Sequence, residues 1–191
     1  IGAAIEATEQ GYRPFPEIMI PLVVNVREIR LINDIIESTI YEMLRDRKVS
    51  LSYRIGTMME TPRACLGADR LAPAVEFMSF GTNDLTQMTY GFSRDDAARF
   101  VPQYLDKKLI ETDPFVSLDQ RAVGRLIEMS IAESSARKKG IKYGICGEHG
   151  GDPRSIRFCH EIGLDYVSCS PFRVPVARIA AAQANVAASG T

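Results

Sequence analysis

Short apolar runs alternate with longer helical patterns along this 191-residue chain. The runs are the length of strands, and the first of them is almost wholly apolar, as in strands that are buried on both faces. They are residues 16–24, 53–61, 75–84, 141–148 and 165–171. Between the first two runs, apolar residues recur at helical spacing, namely Ile29, Ile32, Ile36, Ile40 and Met43. Alternation of this kind predicts an α/β fold with a parallel sheet and crossover helices.

Two stretches of the chain are less regular. Residues 85–90 predict a short helical turn after the third strand. Residues 91–116 are rich in charge, proline and aromatic residues without a period, and they predict a long loop. Ser117 and Gln120 then have the spacing of a capping box, which predicts the start of the next helix.

The number of strands fits two architectures. Five βα units are too few to close an eight-stranded barrel, but they fit part of one, and the first ten residues read as the middle of a helix. A doubly wound sheet fits the same count. Periodicity alone therefore leaves both open, and it favours a chain that belongs to something longer.

Composition excludes several classes of function. A net charge of −1 gives no reason to expect nucleic acid or an anionic membrane as a partner. No apolar run approaches the roughly 20 residues that a membrane-spanning helix needs. The four cysteines have no C-x-x-C spacing, so neither a zinc site nor a redox pair is predicted. A reducing, cytoplasmic compartment is the expected one.

Candidate chemistry lies where the predicted strands end. Reactive groups in parallel α/β folds gather at the carboxyl ends of strands. Polar and small residues follow four of the predicted strands, at positions 60–61, 81–84, 146–149 and 168–170. Glu60 and Asp84 would lie on one rim, and their hard oxygen ligands suit Mg²⁺, which takes one or two carboxylates. Cys146 at the mouth of a strand would be a proton donor beside them.

Each of these residues also has a structural interpretation. Glu60 precedes Thr-Pro and would favour the positive end of the next helix. Asp84 fits an Asx turn, and Cys146 fits a small buried hydrophobic residue. His149 remains undecided. A packing role is expected for Cys65, Cys159, Cys169 and His160. The residues alone therefore predict metal-assisted chemistry at a strand-end rim and no more.

Four segments resemble the C-terminal part of the pyruvate, phosphate dikinase family. They are IGTMMETPRA (55–64), FMSFGTNDLTQMTYGFSRDD (77–96), YGICGEHGGDP (143–153) and DYVSCSPFRVPVARIAAAQA (165–184). The resemblance runs from about residue 16 to residue 184. GTNDLTQ and CGE are shared with related phosphoenolpyruvate (PEP)-utilising enzymes, among them PEP synthase and enzyme I of the sugar phosphotransferase system. The combination of GICGEHGG with SCSPFRVPVARIAAAQA favours the dikinases.

The resemblance implies a TIM-type (β/α)8 barrel that binds pyruvate or PEP. Residues 1–191 would be about its last five βα units, a single incomplete domain without the ATP-grasp and phosphohistidine domains. Glu60 and Asp84 match the magnesium carboxylates. Cys146 matches the acid–base residue for the pyruvate methyl carbon. The substrate-binding residues by this resemblance are Glu60, Gly81, Thr82, Asn83, Asp84 and, for phosphate, Arg94.

The resemblance also implies partners. These are the phosphohistidine domain of a full-length chain and a second copy in a homodimer, with no nucleic acid or membrane. The family uses two arginines from the first three barrel strands, so we expect residues 1–191 alone to be nearly inactive. After Pro-Leu-Val, where relatives commonly have glycine, this sequence has Val24-Asn25, so we expect the local loop to differ. Two alternatives remain: another magnesium enolate enzyme, such as a carbon–carbon lyase, and a non-catalytic assembly module.

Overall fold

A computed structural model describes residues 1–189. It contains a single five-stranded sheet, with strands β1 (Glu17–Ile20), β2 (Arg54–Met58), β3 (Phe77–Gly81), β4 (Lys142–Cys146) and β5 (Tyr166–Val167). The α-helices are α1 (Gly2–Glu9), α2 (Val26–Arg45), α3 (Pro62–Cys65), α4 (Ala68–Leu71), α5 (Thr82–Tyr90), α6 (Arg94–Asp106), α7 (Arg125–Arg137), α8 (Pro153–Glu161) and α9 (Val174–Ser189). Within residues 1–189, no helix combines the length and apolar character that crossing a bilayer requires.

Strand order separates the two architectures that the sequence left open. All neighbouring strands are parallel, and their order in the sheet is the order in the chain, β1-β2-β3-β4-β5. A doubly wound sheet reverses direction at a switch point, whereas here each new strand joins the same edge. Right-handed crossovers in one direction put their helices on one face of the sheet. The fold is therefore part of a (β/α)8 barrel, and the predicted fold class is confirmed.

The hydrophobic core lies between the sheet and the helices. Met78 and Phe80 of β3 are fully buried, and they belong to one cluster with Ile29 of α2 and Ile127 of α7. Side chains alternate along a strand, so the residues between Met78 and Phe80 and on either side of them face the barrel interior. Ser79 and Gly81 are thereby directed toward the interior and the rim.

Glycines in the strands make room for rings in that interior. Gly144 of β4 pairs with Tyr166 of β5, and a Cβ on Gly144 would overlap the tyrosine ring. Gly56 of β2 stands in the same relation to the ring of Phe77 on β3. Each glycine takes the place of a side chain that the packed barrel has no volume for.

Two helix starts explain local sequence. Thr61 caps α3, since its Oγ1 accepts a hydrogen bond from the Ala64 N–H at 3.0 Å. Asn25 caps α2. Its Oδ1 accepts from the Arg27 N–H at 3.0 Å, and its own N–H donates to Glu28 at 3.0 Å. These two bonds fix the start of α2.

Two predictions for the middle of the chain are wrong. The third strand ends at Gly81 rather than at residue 84, because α5 begins at once with Thr82. The predicted loop at 91–116 contains the thirteen-residue helix α6. Its buried side consists of only Ala97 and Val101, and Pro102 lies inside it, so the sequence carries little helical signal.

The predicted capping box at Ser117 is also wrong. Asp119 accepts hydrogen bonds from the N–H groups of Arg121 and Ala122 at 2.9 and 3.3 Å, and a five-residue π-helical turn leads from there into α7. Ser117 instead donates its hydroxyl to Asp152 at 2.9 Å. The outer strands are shorter than predicted, four residues in β1 and two in β5.

Substituting Gly144 with alanine should destabilise the protein by about 1–3 kcal/mol, since the new methyl group would overlap the ring of Tyr166. Urea unfolding followed by circular dichroism measures the change. Gly2→Ala is the control, because a Cβ there would lie 3.5 Å from Met43, an ordinary contact. Gly144→Ala combined with Tyr166→Ala should cost less than the two changes added together. Strict additivity would show that the ring does not cause the loss.

Candidate active site

The structure brings the predicted site residues to one rim. β2, β3 and β4 are neighbours, with Gly81 paired to Cys146 in the register of β3 and β4. Glu60 follows the end of β2, and Asp84 lies in the first turn of α5, just after β3. Their charges act on one another and on the Cys146 thiol. The two carboxylates and the thiol therefore share one edge of the sheet.

Glu60 is the most enclosed of these groups, with 4% of its surface exposed. Its Oε1 accepts a hydrogen bond from the Leu22 N–H at 2.7 Å. Its Oε2 lies beside Gly81, where a Cβ would come within 2.7 Å of it. The Glu60 carboxylate can lie here only because residue 81 has no side chain. The next helix is capped by Thr61 and not by Glu60.

Leu22 is a part of the site that the sequence analysis missed. Its φ is 51°, in the left-handed region that residues other than glycine rarely adopt. The residue that adopts this conformation is also the one whose N–H group donates to Glu60. Nothing in the local sequence indicates it, since leucine has no preference for such a backbone.

Two carboxylates lie close together at this rim without a cationic partner among the described residues. Burial raises the pKa of the Glu60 carboxyl, the Leu22 N–H lowers it, and the negative charge of Asp84 raises it further. Neither Glu60 nor Asp84 has an ion pair within residues 1–189. The same part of the chain has no group of three or more His, Cys, Asp or Glu side chains suited to a metal. Two carboxylates are enough for Mg²⁺, which fills its other positions with water and substrate.

Cys146 is the last residue of β4, and it is partly buried. Its Sγ lies 3.6 Å from the Phe80 carbonyl oxygen. Burial raises the pKa of the thiol, the Ser79 hydroxyl lowers it, and the charges of Glu60 and Asp84 raise it. Cys146 is therefore a protonated thiol at neutral pH, placed beside two carboxylates.

The other cysteines have different surroundings. Cys65 and Cys159 are almost completely buried, and burial raises their pKa values to about 11 and about 12. Both fit the packing role that the sequence indicated. Cys169 is partly buried, in the segment that follows β5.

Hydrogen bonds join the loops that follow β3 and β4. Thr82 Oγ1 lies 3.1 Å from the Cys146 carbonyl oxygen and 2.7 Å from His149 Nδ1. The Glu148 N–H donates to Asn83 Oδ1 at 3.1 Å. Two of the predicted substrate-binding residues, Thr82 and Asn83, are thereby connected to the turn that carries the thiol. Asp84 belongs to the first helical turn and not to an Asx turn.

Arg94 lies at the edge of the site. Its guanidinium is 3.6 Å from the Glu148 carboxylate, and both side chains are about half exposed. Such an exposed pair contributes little stability, so the guanidinium is available to another anion. A cavity of about 320 Å³ opens here, lined by Arg94, Phe115, Val116, Glu148, Gly151, Asp152 and Arg173. A larger cavity of about 690 Å³ lies on the outer surface beside α4 and α7, away from this rim.

The fold and this rim define a class of protein that comparison with known families makes specific. Residues 1–186 match the family described as PEP-utilising enzyme, PEP-binding domain, and the chain belongs to that family. It is 54% identical over 183 residues to the pyruvate, phosphate dikinase of Clostridium symbiosum. It is 55% identical over 185 residues to that of Rhizobium meliloti strain 1021, and 52% over 181 residues to the chloroplastic enzyme of Mesembryanthemum crystallinum.

These relatives are much longer than the matching region. The matches cover 95% to 96% of this chain but 19% to 21% of the relatives, so the chain spans about one fifth of their length. Among solved structures, a citrate lyase from Burkholderia xenovorans LB400 superposes with a TM-score of 0.56. The match is 21% identical and covers 86% of this chain and 48% of that one, so it bears on the fold alone.

Replacing Glu60 with glutamine should raise the Tm of the metal-free protein by a few degrees at neutral pH. Glutamine keeps an oxygen for the Leu22 N–H and removes a buried charge. Folding raises the pKa of the Glu60 carboxyl above 4.5. The carboxyl therefore makes its full contribution to stability below pH 4.5, and this contribution is lost as the pH rises through the folded-state pKa. The gain from the substitution should therefore grow with pH above 4.5.

The matched control is Glu76→Gln, since Glu76 also accepts a backbone N–H, that of Ile55 at 3.1 Å, but precedes β3 instead of following β2. Added Mg²⁺ should raise the Tm of the unsubstituted protein and leave Glu60→Gln unchanged. Equal Mg²⁺ stabilisation of both proteins would show that Glu60 is not a ligand.

Alkylation of Cys146 by iodoacetamide should be slow at pH 8, because only the thiolate reacts and its pKa is raised. Removing either carboxylate charge, with Glu60→Gln or Asp84→Asn, should lower that pKa and speed alkylation at pH 8. Peptide mapping by mass spectrometry separates Cys146 from the other cysteines. A rate that is unaffected by both substitutions would contradict the proximity of these charges.

Proposed function

We propose that this chain forms the pyruvate- and PEP-binding part of a pyruvate, phosphate dikinase. The complete reaction converts ATP, phosphate and pyruvate into AMP, PEP and diphosphate, with a phosphohistidine as intermediate. The observation that carries the proposal is the convergence of Glu60, Asp84 and Cys146 on one rim of a partial barrel. The similarity to dikinases over 95% of the chain supports the same conclusion.

Glu60 and Asp84 are the residues that would hold Mg²⁺. Glu60 offers Oε2, since Leu22 occupies Oε1, and Asp84 is partly exposed at the start of α5. Their unpaired negative charges fit a divalent cation with few protein ligands. When bound there, Mg²⁺ would supply a Lewis acid for the oxygens of a keto acid.

Cys146 would exchange the proton at the methyl carbon of pyruvate. When PEP is formed, the thiolate takes a methyl proton, an S–H bond replaces a C–H bond, and the resulting enolate oxygen attacks phosphorus. The P–N bond to histidine breaks in that step. In the reverse direction the thiol returns the proton to carbon. A protonated thiol at neutral pH suits the reverse direction as the resting state.

The loop of residues 81–84 would orient the substrate. The first N–H groups of the nine-residue helix α5 have no partner within the helix, and a helix N-terminus of this kind binds carboxylate or phosphate. Asn83 adds its side-chain amide beside them, and Thr82, whose side chain is completely buried, would contribute through its backbone N–H. Arg94 would bind phosphate after exchanging its partner Glu148 for it.

The partners in this proposal are a phosphohistidine domain that reaches the rim and a second copy of the chain. Exposed apolar residues favour association, since Phe172 in the turn after β5 is 94% exposed and Ile179 of α9 is 61% exposed. Residues 1–189 supply one arginine, Arg94, among the proposed substrate groups. We therefore expect activity to need the remaining parts of a dikinase.

Replacing Cys146 with alanine, in a dikinase that contains this chain, should slow exchange of pyruvate methyl protons by at least about a hundredfold. Solvent deuterium incorporation followed by proton NMR measures the rate. Phosphorylation of the enzyme by nucleotide should continue, because it takes place elsewhere. Cys169→Ala is the control, since that thiol follows the neighbouring strand β5. Undiminished exchange of methyl protons in Cys146→Ala would contradict the proposed function.

A further inference from the structure

His149 is a buried histidine with both ring nitrogens in hydrogen bonds. It has no exposed surface, and it lies in the turn that follows Cys146. Nδ1 is 2.7 Å from Thr82 Oγ1, and Nε2 is 2.8 Å from the Pro114 carbonyl oxygen. The side chain thereby joins three segments: the turn after β4, the start of α5 and the segment between α6 and α7.

The partners of His149 determine which nitrogen carries the proton. A carbonyl oxygen only accepts hydrogen bonds, so Nε2 must be protonated to bond Pro114. Burial lowers the pKa of the imidazole, and this is the largest effect. The Pro114 carbonyl, Asp152 and Glu148 raise that pKa by less, and Arg94 lowers it. The ring is therefore neutral, Nδ1 has no proton, and it accepts the Thr82 hydroxyl.

The Thr82 hydroxyl has one proton and two acceptors. The second acceptor is the Cys146 carbonyl oxygen at 3.1 Å, a longer contact than the 2.7 Å to His149. The imidazole thus fixes the rotation of a hydroxyl that lies directly against the backbone of the proposed acid–base residue. Gly147, with φ of 109°, lets this turn approach Thr82 and Asn83 closely, since a Cβ there would be 3.1 Å from Thr82 Oγ1.

We propose that His149 is a positioning residue, which acts through Thr82 to hold Cys146 and the 81–84 loop in the geometry for proton transfer. This inference rests on the proposed function of Cys146. His149 itself does not touch the reacting carbon: it is completely buried, and its two nitrogens are occupied by protein groups. Its effect is on the orientation of the thiol and of the substrate-binding loop.

Two substitutions separate the two hydrogen bonds of His149. Asparagine places its amide near the position of Nδ1, so His149→Asn keeps an acceptor for Thr82. Glutamine reaches the position of Nε2, so His149→Gln keeps a donor for Pro114 and loses the bond to Thr82. The other histidine supplies the control, His160→Gln, at an exposed position on α8.

The experiment measures pyruvate methyl-proton exchange and Tm in a dikinase that contains this chain. His149→Gln should lower the exchange kcat by about tenfold to a hundredfold with little change in KM, as a misplaced catalytic group does. His149→Asn should recover most of that loss. A purely structural role predicts that both variants lose activity in proportion to Tm. That result, or full activity in His149→Gln, would overturn the proposal.

Two further measurements keep the test decisive if the histidine variants fold poorly. Thr82→Val removes only the hydroxyl and should reproduce the kcat loss, whereas Thr82→Ser should keep most of the activity. Nitrogen-15 NMR of the unsubstituted protein should show the Nε2–H tautomer at neutral pH, and the Nδ1–H tautomer would contradict the assignment. Cys146→Ala tests the proposed function separately. Undiminished exchange in Cys146→Ala would contradict the role of Cys146, whereas lost exchange in Cys146→Ala with full activity in His149→Gln would contradict only the inference about His149.

Discussion

The carboxylate of Glu60 fills the space that a side chain at residue 81 would occupy, and the site depends on this contact. Gly81 ends β3 and Glu60 follows β2, so the contact spans two neighbouring strands. The Leu22 N–H, from the segment after β1, holds the other carboxylate oxygen. One side chain therefore fixes the relative positions of three strand ends. Because the strands are parallel and in chain order, the same edge also receives Asp84 and Cys146.

The cost of this arrangement is electrostatic. Burial and the charge of Asp84 both raise the pKa of Glu60, and burial and the two carboxylates raise that of Cys146. Titratable groups whose pKa values are shifted by burial and by one another are typical of functional sites. A cation between the carboxylates would reverse both effects, favouring ionised Glu60 and bringing the thiol closer to the range where it exchanges protons. The charges that are unfavourable in the metal-free rim would thus become favourable beside a bound cation.

The strands could be predicted from the sequence because apolar runs indicate them, but the residues at which they end could be predicted only approximately. Glu60, Asp84 and Cys146 each lie at or after the end of an apolar run. Because the strands are parallel, their carboxyl ends lie at the same edge of the sheet. The groups that hold them could not be found in this way. Leu22 and Glu60 are 38 positions apart, and His149 and Thr82 are 67 apart, so neither contact has a local signal. The start of α5 also has no local signal in the sequence. Its N-cap residue is Gly81, which has no side chain that could form a capping hydrogen bond.

The immediate transition from β3 to α5 also explains why the rim is compact. With no connecting residues between Gly81 and Thr82, the first helical turn lies directly at the strand end. Its free N–H groups and positive dipole end then face the same space as the two carboxylates and the thiol. Positive and negative groups are thus provided by backbone and side chains of one short segment. The positive end of the helix dipole therefore offsets part of the negative charge that the two carboxylates bring to this space.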